Sequence, residues 1–188
     1  MKIILASTSP RRKELLNKTG LIFETKASEY EEEMNLKMSP EELAKYISFN
    51  KANAVFENNK DAIVIAADTF IVFNDKYLGK PKTEEEARNM LKSLSGKEHQ
   101  VITGVTIISK DKAVSFNSKA NVYMKNLSSE TIDNYIKTGE PMDKAAAYAM
   151  QERGAVLIEK VDGDFFGAVG LPIGRLSEEL KGFGINVL

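Results

Sequence analysis

Two adjacent arginines, Arg11 and Arg12, follow a hydroxyl-rich turn at residues 7–10. Ser9 is a favoured N-cap and proline suits the first helical position, so the pattern predicts a helix that begins at Pro10. A helix N-terminus carries partial positive charge and unpaired N–H groups, which makes two guanidinium groups there unfavourable unless an anion binds. The spacing therefore indicates a phosphate site. The alternative is a pair of solvated arginines.

Asp68 is the strongest candidate for catalysis, because it directly follows the apolar run of residues 63–67. Such a run, bounded by Asp61 and Asp68, is typical of a central strand buried on both faces. We expect the strand to end at Asp68, where the carboxylate is partly desolvated and faces the sheet edge that binds ligands in α/β folds. A carboxylate that only caps a turn is the alternative. Lys80 follows on a predicted return strand and would add positive charge nearby.

Lys51 lies on the buried stripe of another predicted helix. Residues 39–42 form a capping box with proline at the first helical position, and Lys51 falls between the apolar residues Ile47 and Val55 at helical spacing. Its stem can pack on the core while its ammonium reaches towards whatever the helix faces. The alternative is a lysine that extends into water.

Four glutamates, Glu29 and Glu31 to Glu33, form an acidic run in a predicted loop. A solvated surface is the usual role of such a run. Magnesium bound to phosphates takes only one or two protein carboxylates, so Asp68 with one of these glutamates would be sufficient to hold it.

The rest of the chain alternates predicted helices and strands. Helices are predicted to start after Thr83, at Ser128 or Ser129, and after Pro172. Strands are predicted to cover residues 100–108, 113–124 and 155–161. The first two of these strands are expected to form a long antiparallel pair. This order predicts a mixed α/β sheet flanked by helices. Since no repeat or low-complexity linker divides the chain, we expect a single domain over residues 1–188.

The composition excludes several classes of function. The 188 residues carry 26 basic and 27 acidic side chains, for a net charge of -1, so no global field holds nucleic acid or an anionic membrane. Without cysteine there is no thiolate nucleophile or cysteine zinc site, and the single histidine, His99, is expected at the surface. The P-loop and G-x-G-x-x-G phosphate motifs are absent. No apolar segment has signal-peptide or membrane-spanning length, so we expect a soluble, cytosolic protein.

Six short sequence motifs follow one another between residue 3 and about residue 176, in the order in which a known protein family carries them. They are LASTSPRR at 5–12, ADT at 67–69, GKP at 79–81, LSG at 94–96, EPMDKA at 140–145 and GLP at 170–172. Each block alone is weak evidence, but together they are specific. The chain resembles the Maf family of nucleotide pyrophosphatases.

The resemblance implies hydrolysis of a nucleoside triphosphate to the monophosphate and pyrophosphate with a divalent cation, Mg²⁺ or Mn²⁺. It implies an elongated mixed β-sheet with a central cleft between two lobes. Asp68 would be the catalytic acid-base residue, and Glu32, for which Glu31 or Glu33 could substitute, would help it hold the metal. The phosphate contacts implied by the resemblance are Ser9, Arg11, Arg12, Lys51 and Lys80. Assembly is left open, with a homodimer as one alternative.

Three positions govern substrate choice in the family, and here they are Arg11, Thr69 and Gln151. This set resembles the branch that acts on dTTP and UTP rather than the branch that acts on 7-methyl-GTP. A glutamine can both donate and accept hydrogen bonds, as a pyrimidine edge requires.

The chain departs from the family where Ala146, Ala149 and Glu152 replace the usual glycines, and larger side chains there would narrow the base pocket. An alternative to the enzyme is a nucleotide-binding regulator of septum formation that does not turn its ligand over.

Overall fold

The computed structural model describes residues 2–33 and 36–188. The helices are α1 (Pro10–Asn17), α2 (Pro40–Phe56), α3 (Glu84–Leu94), α4 (Ser129–Ile136), α5 (Phe165–Val169) and α6 (Ile173–Lys181). The strands are β1 (Lys2–Leu5), β2 (Glu24–Thr25), β3 (Ala62–Phe73), β4 (Lys76–Tyr77), β5 (Glu98–Ile108), β6 (Ala113–Met124) and β7 (Ile158–Gly163). Short 3-10 helices cover Glu140–Asp143, Ala145–Ala147 and Arg153–Leu157.

Seven strands of the described chain form one mixed sheet, in the order β2-β1-β3-β5-β6-β7, with β4 paired to β3. β1 runs parallel to β2 and to β3, whereas β3 with β4 and β6 with β7 are antiparallel pairs. A tight turn at residues 109–112 joins β5 to β6, as its Ser109 N–H donates to the Lys112 carbonyl at 2.9 Å. The predicted mixed α/β sheet is therefore confirmed.

The chain divides into two compact units. Unit 1 contains Met1–Thr69, Ile102–Ser118 and Phe166–Leu188, and unit 2 contains Phe70–Val101 and Lys119–Phe165. The long strands β3, β5 and β6 contribute residues to both units. The prediction of a single domain stays a prediction.

Unit 1 has an apolar layer on each face of its strands, because side chains alternate between the faces along a strand. Odd-numbered residues of β1 and β3, such as Leu5 and Ile65, pack with α1 and α6. Even-numbered residues, such as Ile4 and Val64, pack with α2. A Cβ at Gly104 would lie 2.1 Å from the Ala44 carbonyl oxygen of α2, so this close approach requires glycine.

In unit 2, the amphipathic helices α3 and α4 pack against each other. Both begin as their sequences predict, with the Thr83 and Ser128 hydroxyls accepting hydrogen bonds from backbone N–H groups three residues on. The Asn74–Asp75 turn between β3 and β4 has positive φ at both residues, as a two-residue hairpin turn requires.

The starts of α1 and α2 are also confirmed. Pro10 is the first residue of α1, and α2 opens with the predicted capping box, in which Ser39 and Glu42 exchange hydrogen bonds. The Ser9 hydroxyl, however, makes no capping hydrogen bond. Among the described residues, no helix is both long and apolar enough to cross a bilayer.

Several strand boundaries differ from the prediction, since β5 begins at Glu98 rather than at residue 100, and β4 ends at Tyr77, before Lys80. β3 does not end at Asp68 but continues to Phe73, because the apolar residues after Asp68 extend the strand until it turns back into β4. The strand predicted at 155–161 begins only at Ile158, after a 3-10 helix, and ends at Gly163.

The expectation that His99 lies at the surface was wrong. Its side chain is 2% exposed, on a face of β5 in unit 2 that packs on Tyr148. The imidazole Nε2 shares a 2.6 Å hydrogen bond with the Tyr148 hydroxyl, while Nδ1 is buried without a partner among the described residues. Burial lowers the pKa of His99 to about 4, because the charged imidazolium loses its hydration.

Buried His99 makes stability depend on pH in a defined direction. The unfolded imidazole titrates near 6.5 and the folded one near 4. The stabilising contribution is therefore present above pH 6.5 and is lost as the pH falls towards 4, by about 3 kcal/mol in all. Urea unfolding at several pH values should show a steeper decline for the wild type than for His99→Gln, which cannot titrate. Equal declines would contradict the assignment.

Candidate active site

Asp68 lies beside the carboxyl end of β1, although it is in the middle of β3. The parallel pairing of β1 with β3 ends at Leu5 and Ile65, after which the Ala6 N–H donates to the Ile65 carbonyl at 2.7 Å. The chain then leaves the sheet through residues 7–9 and enters α1. Ligands in α/β sheets bind where strands end in this way.

The alternation of β3 sends two neighbouring polar side chains to opposite faces of the sheet. Asp68 shares its face with Ala66 and Val64, towards α2, and its side chain meets Lys51 of that helix. Thr69 shares the other face with Ala67 and meets Arg12 of α1.

Lys51 joins two carboxylates. Its ammonium donates to Asp68 Oδ1 and to Glu32 Oε1, the latter at 2.5 Å. Asp68 is 6% exposed, whereas Glu32 is an exposed residue of the loop that precedes α2. Lys51 therefore does not extend freely into water, and Glu32 is the glutamate of the acidic run that this ammonium selects.

Arg12 is held by neutral oxygens. Its Nε donates to the Gly170 carbonyl at 3.1 Å, its Nη2 to the Thr69 hydroxyl at 3.1 Å, and its Nη1 to the Ser7 hydroxyl at 3.4 Å. The φ of Gly170 is +135°, a conformation that other residues rarely adopt. The GLP block thus directs a backbone carbonyl at the guanidinium.

Burial and charge oppose each other at this site. Burial raises the pKa of Asp68, while the positive charges of Lys51 and Arg12 limit the rise. Burial also lowers the pKa of Arg12, and Asp68 opposes that shift. Arginine stays protonated at neutral pH. The charges of Arg12 and Asp68 therefore influence each other, and their joint role at a ligand stays a prediction.

Ser9 and Arg11 stand at the start of α1, both half-buried. Arg11 lies close enough to Arg12 for its charge to lower the pKa of that neighbour further. The Ser9 N–H donates to the Ser7 hydroxyl at 3.2 Å. Unit 1 thus brings together seven of the predicted site residues: Ser9, Arg11, Arg12, Glu32, Lys51, Asp68 and Thr69.

Lys80 and Gln151 belong to unit 2, where both side chains are exposed. The Gly79 carbonyl next to Lys80 accepts a 3.0 Å hydrogen bond from the Ala146 N–H. Gln151 Nε2 donates to Glu152 Oε1 at 3.3 Å, and Glu152 lies 3.7 Å from the buried ammonium of Lys144.

The loop that precedes Gln151 is strained. Ala146 and Ala147 have φ values of 55° and 61°, in the left-handed region. Each non-glycine residue there costs roughly 1 to 2 kcal/mol. At Ala146, this conformation explains why glycine would suit the position better.

The donor set suits a hard divalent cation. Asp68 and Glu32 are carboxylates that one ammonium already draws together, and Mg²⁺ prefers one or two such ligands beside phosphate oxygens. Among residues 2–33 and 36–188, no group of three or more His, Cys, Asp or Glu side chains forms a cage. Such a cation would therefore share its coordination with a phosphate ligand and water.

Sequence reasoning missed two contributors, the Gly170 carbonyl and the hydroxyl of Thr103 on β5. Thr103 hydrogen bonds to Thr69 at 2.9 Å. The GLP motif singled out Gly170, but it did not indicate that the carbonyl of Gly170 accepts a hydrogen bond from Arg12. A threonine within the apolar run of β5 carries no signal that separates it from other core positions.

Comparison with known proteins supports one family. The family model described as Maf-like protein matches residues 2–183. A dTTP/UTP pyrophosphatase from Bacillus cereus (strain ATCC 10987 / NRS 248) is 49% identical, over 99% of this chain and 92% of that protein. One from Bacillus anthracis (strain CDC 684 / NRRL 3495) is 48% identical, over 99% and 97%.

Solved structures show the same fold at low sequence identity. The Staphylococcus aureus Ham1 protein matches with a TM-score of 0.54 and 14% identity, covering 97% of this chain and 100% of that one. A HAM1 protein from Coxiella burnetii matches with a TM-score of 0.52 and 15% identity, covering 97% and 99%.

Removing the Lys51 ammonium should strengthen binding of a divalent cation, because the ammonium competes for the same two carboxylates. We expect Lys51→Met to bind Mn²⁺ at least about tenfold more tightly than the wild type, as measured by calorimetry. The metal-free variant should be less stable, since Asp68 keeps its buried charge without its main partner. Lys45→Met on the same helix controls for the loss of one charge. Weaker or unchanged Mn²⁺ binding would contradict this account.

Proposed function

The chain belongs to the Maf-like protein family, and from this premise we propose that it is a nucleoside triphosphate pyrophosphatase that hydrolyses dTTP and UTP. The products are the nucleoside monophosphate and pyrophosphate. The observation that carries the proposal is the buried Asp68 carboxylate, paired with Lys51 and electrostatically coupled to Arg12.

The reaction needs an activated water molecule. Its oxygen bonds to the α-phosphorus, the bond from that phosphorus to the bridging oxygen breaks, and pyrophosphate leaves. Asp68 accepts the proton of the water. A carboxylate whose pKa is raised by burial is a stronger base than an ordinary aspartate, which supports this role.

Negative charge builds up on the leaving pyrophosphate and needs compensation. The groups that we assign to the phosphates are Ser9, Arg11, Arg12, Lys51 and Lys80. A guanidinium whose orientation is fixed before the substrate binds stabilises this charge without reorganising. When Mg²⁺ or Mn²⁺ is bound, the cation neutralises phosphate charge, and Glu32 and Asp68 are the residues that would hold it.

The base is assigned to Gln151, with Arg11 and Thr69 as the other positions of substrate choice. The Gln151 amide nitrogen is directed at Glu152, so its carbonyl oxygen remains available as an acceptor. Uracil and thymine each present an imide N–H donor, which this oxygen would accept, whereas cytosine presents an acceptor at the same position.

We also propose a cytoplasmic location, where these nucleotides occur. Homodimer formation stays a prediction.

The main test is pyrophosphate release from dTTP, UTP, CTP, GTP and 7-methyl-GTP with magnesium or manganese. The wild type should cleave dTTP and UTP with the highest kcat/KM. Asp68→Asn should lose about 10²- to 10⁴-fold in turnover, the usual contribution of a general base. Binding without turnover of any nucleotide would favour a regulator, and a preference for 7-methyl-GTP would place the protein in the sister branch.

Two further variants separate phosphate binding from base choice. Arg12→Ala should lower kcat/KM for every triphosphate by a similar factor, because the phosphates are common to all of them. Gln151→Glu should change the ranking, since a carboxylate only accepts hydrogen bonds and favours bases such as guanine that offer several donors. The same five nucleotides serve as the assay. An equal loss across all bases for Gln151→Glu would remove the reason for the pyrimidine assignment.

A further inference from the structure

A chain of hydrogen bonds runs from the Arg12 guanidinium into the interior of unit 1. Arg12 Nη2 donates to the Thr69 hydroxyl at 3.1 Å, which lies 2.9 Å from the Thr103 hydroxyl. The Thr103 hydroxyl donates to the Gly167 carbonyl at 2.8 Å. Thr103 is 0% exposed, so this chain is anchored in the core.

The direction of every proton in this chain is fixed. A guanidinium only donates hydrogen bonds and a carbonyl only accepts them, while each hydroxyl has a single proton. Thr103 uses its proton on Gly167 and therefore accepts from Thr69. Thr69 uses its proton on Thr103 and therefore accepts from Arg12. Only one arrangement satisfies all the groups.

The remaining bonds of Arg12 complete its orientation. Nε donates to the Gly170 carbonyl and Nη1 to the Ser7 hydroxyl. These contacts use three of the five N–H groups of the guanidinium and leave one N–H on each terminal nitrogen for a ligand. Two N–H groups of one guanidinium can donate to two oxygens of a phosphate.

We propose that Thr103 is a positioning residue, which acts through Thr69 to hold Arg12 in the orientation that receives the polyphosphate of the substrate. This inference rests on the proposed function, since it takes the ligand of Arg12 to be a triphosphate. Thr103 is fully buried and its hydroxyl is occupied on both sides, so its effect on the ligand is indirect.

The chain offers a matched control on the same strand. Thr106 is also 0% exposed, and its hydroxyl also bonds to two partners, Ser48 and Ser115, each at 2.8 Å. Thr106 faces α2, on the other side of the sheet from Arg12, because Ser48 belongs to that helix. Loss of either hydroxyl disrupts a buried hydrogen-bond network. Only the network of Thr103 includes Arg12.

The experiment measures binding of inorganic tripolyphosphate by calorimetry and nucleotide turnover in parallel. Thr103→Val should weaken tripolyphosphate binding about tenfold, the usual effect of disturbing one charge-assisted hydrogen bond, and Thr103→Ser should restore it. Thr106→Val should leave the affinity unchanged even where its thermal midpoint falls as much as that of Thr103→Val.

A double-mutant cycle tests the route of the effect. In an Arg12→Ala background, Thr103→Val should cause no further loss of tripolyphosphate affinity. An equal loss with and without Arg12 would overturn the inference, as would wild-type affinity in Thr103→Val or no wild-type binding of tripolyphosphate.

The inference and the proposed function fail separately. A wild type that cleaves UTP while Thr103→Val binds tripolyphosphate normally overturns the inference alone. A wild type that cleaves no nucleotide, with tripolyphosphate binding that depends on Thr103 through Arg12, overturns the function and supports the positioning role.

Discussion

Burial of the Asp68 carboxylate is the constraint on which the rest of unit 1 depends. A charged carboxylate inside a long, otherwise apolar strand is unfavourable unless positive charge lies close to it. Lys51 supplies that charge by direct contact and Arg12 supplies it at longer range. The site is therefore a balance of charges that already exists before any ligand binds, and a polyphosphate would enter it as the anion that the cations can accept.

The fold supplies the two cations from opposite sides of one sheet. Because successive residues of β3 face opposite ways, Asp68 reaches α2 while Thr69 reaches α1. A single strand segment thus holds the carboxylate for Lys51 and the hydroxyl that orients Arg12. A shift of register by one residue would exchange the two faces and separate both pairs, so the parallel pairing of β1 with β3 sets the chemistry as well as the core.

Backbone groups take part in the site beside the side chains. Gly170 turns its carbonyl to Arg12 in a conformation suited to glycine. In unit 2, by contrast, alanine occupies a left-handed position at residue 146, and Glu152 binds the amide of Gln151. Residues 146 and 152 are two of the three positions where the family resemblance leads us to expect glycine, and both lie in the segment to which we assign base recognition.

The sequence by itself determined the local elements and the list of chemical groups. The starts of α2, α3 and α4 followed from hydroxyl caps and the start of α1 from its proline, because both signals act within one helical turn. The strand predicted at 113–124 is β6. Six sequence motifs indicated the family, because their residue types and their order along the chain are specific when taken together. The caps and the strand pattern depend only on neighbouring residues, and the motifs depend only on residue types, so neither needs the folded structure.

Only the tertiary structure decided which groups meet. It continued β3 through Asp68, buried His99 and gave Lys51 two carboxylate partners. It also linked Thr103 to Arg12 through the hydroxyl of Thr69. Those outcomes depend on contacts between residues far apart in the chain, and a polar residue in an apolar run looks the same in sequence whether it is a core hydroxyl or part of a site. The hydrogen-bond partners and the burial of the residue decide between these two roles, and both are properties of the folded chain.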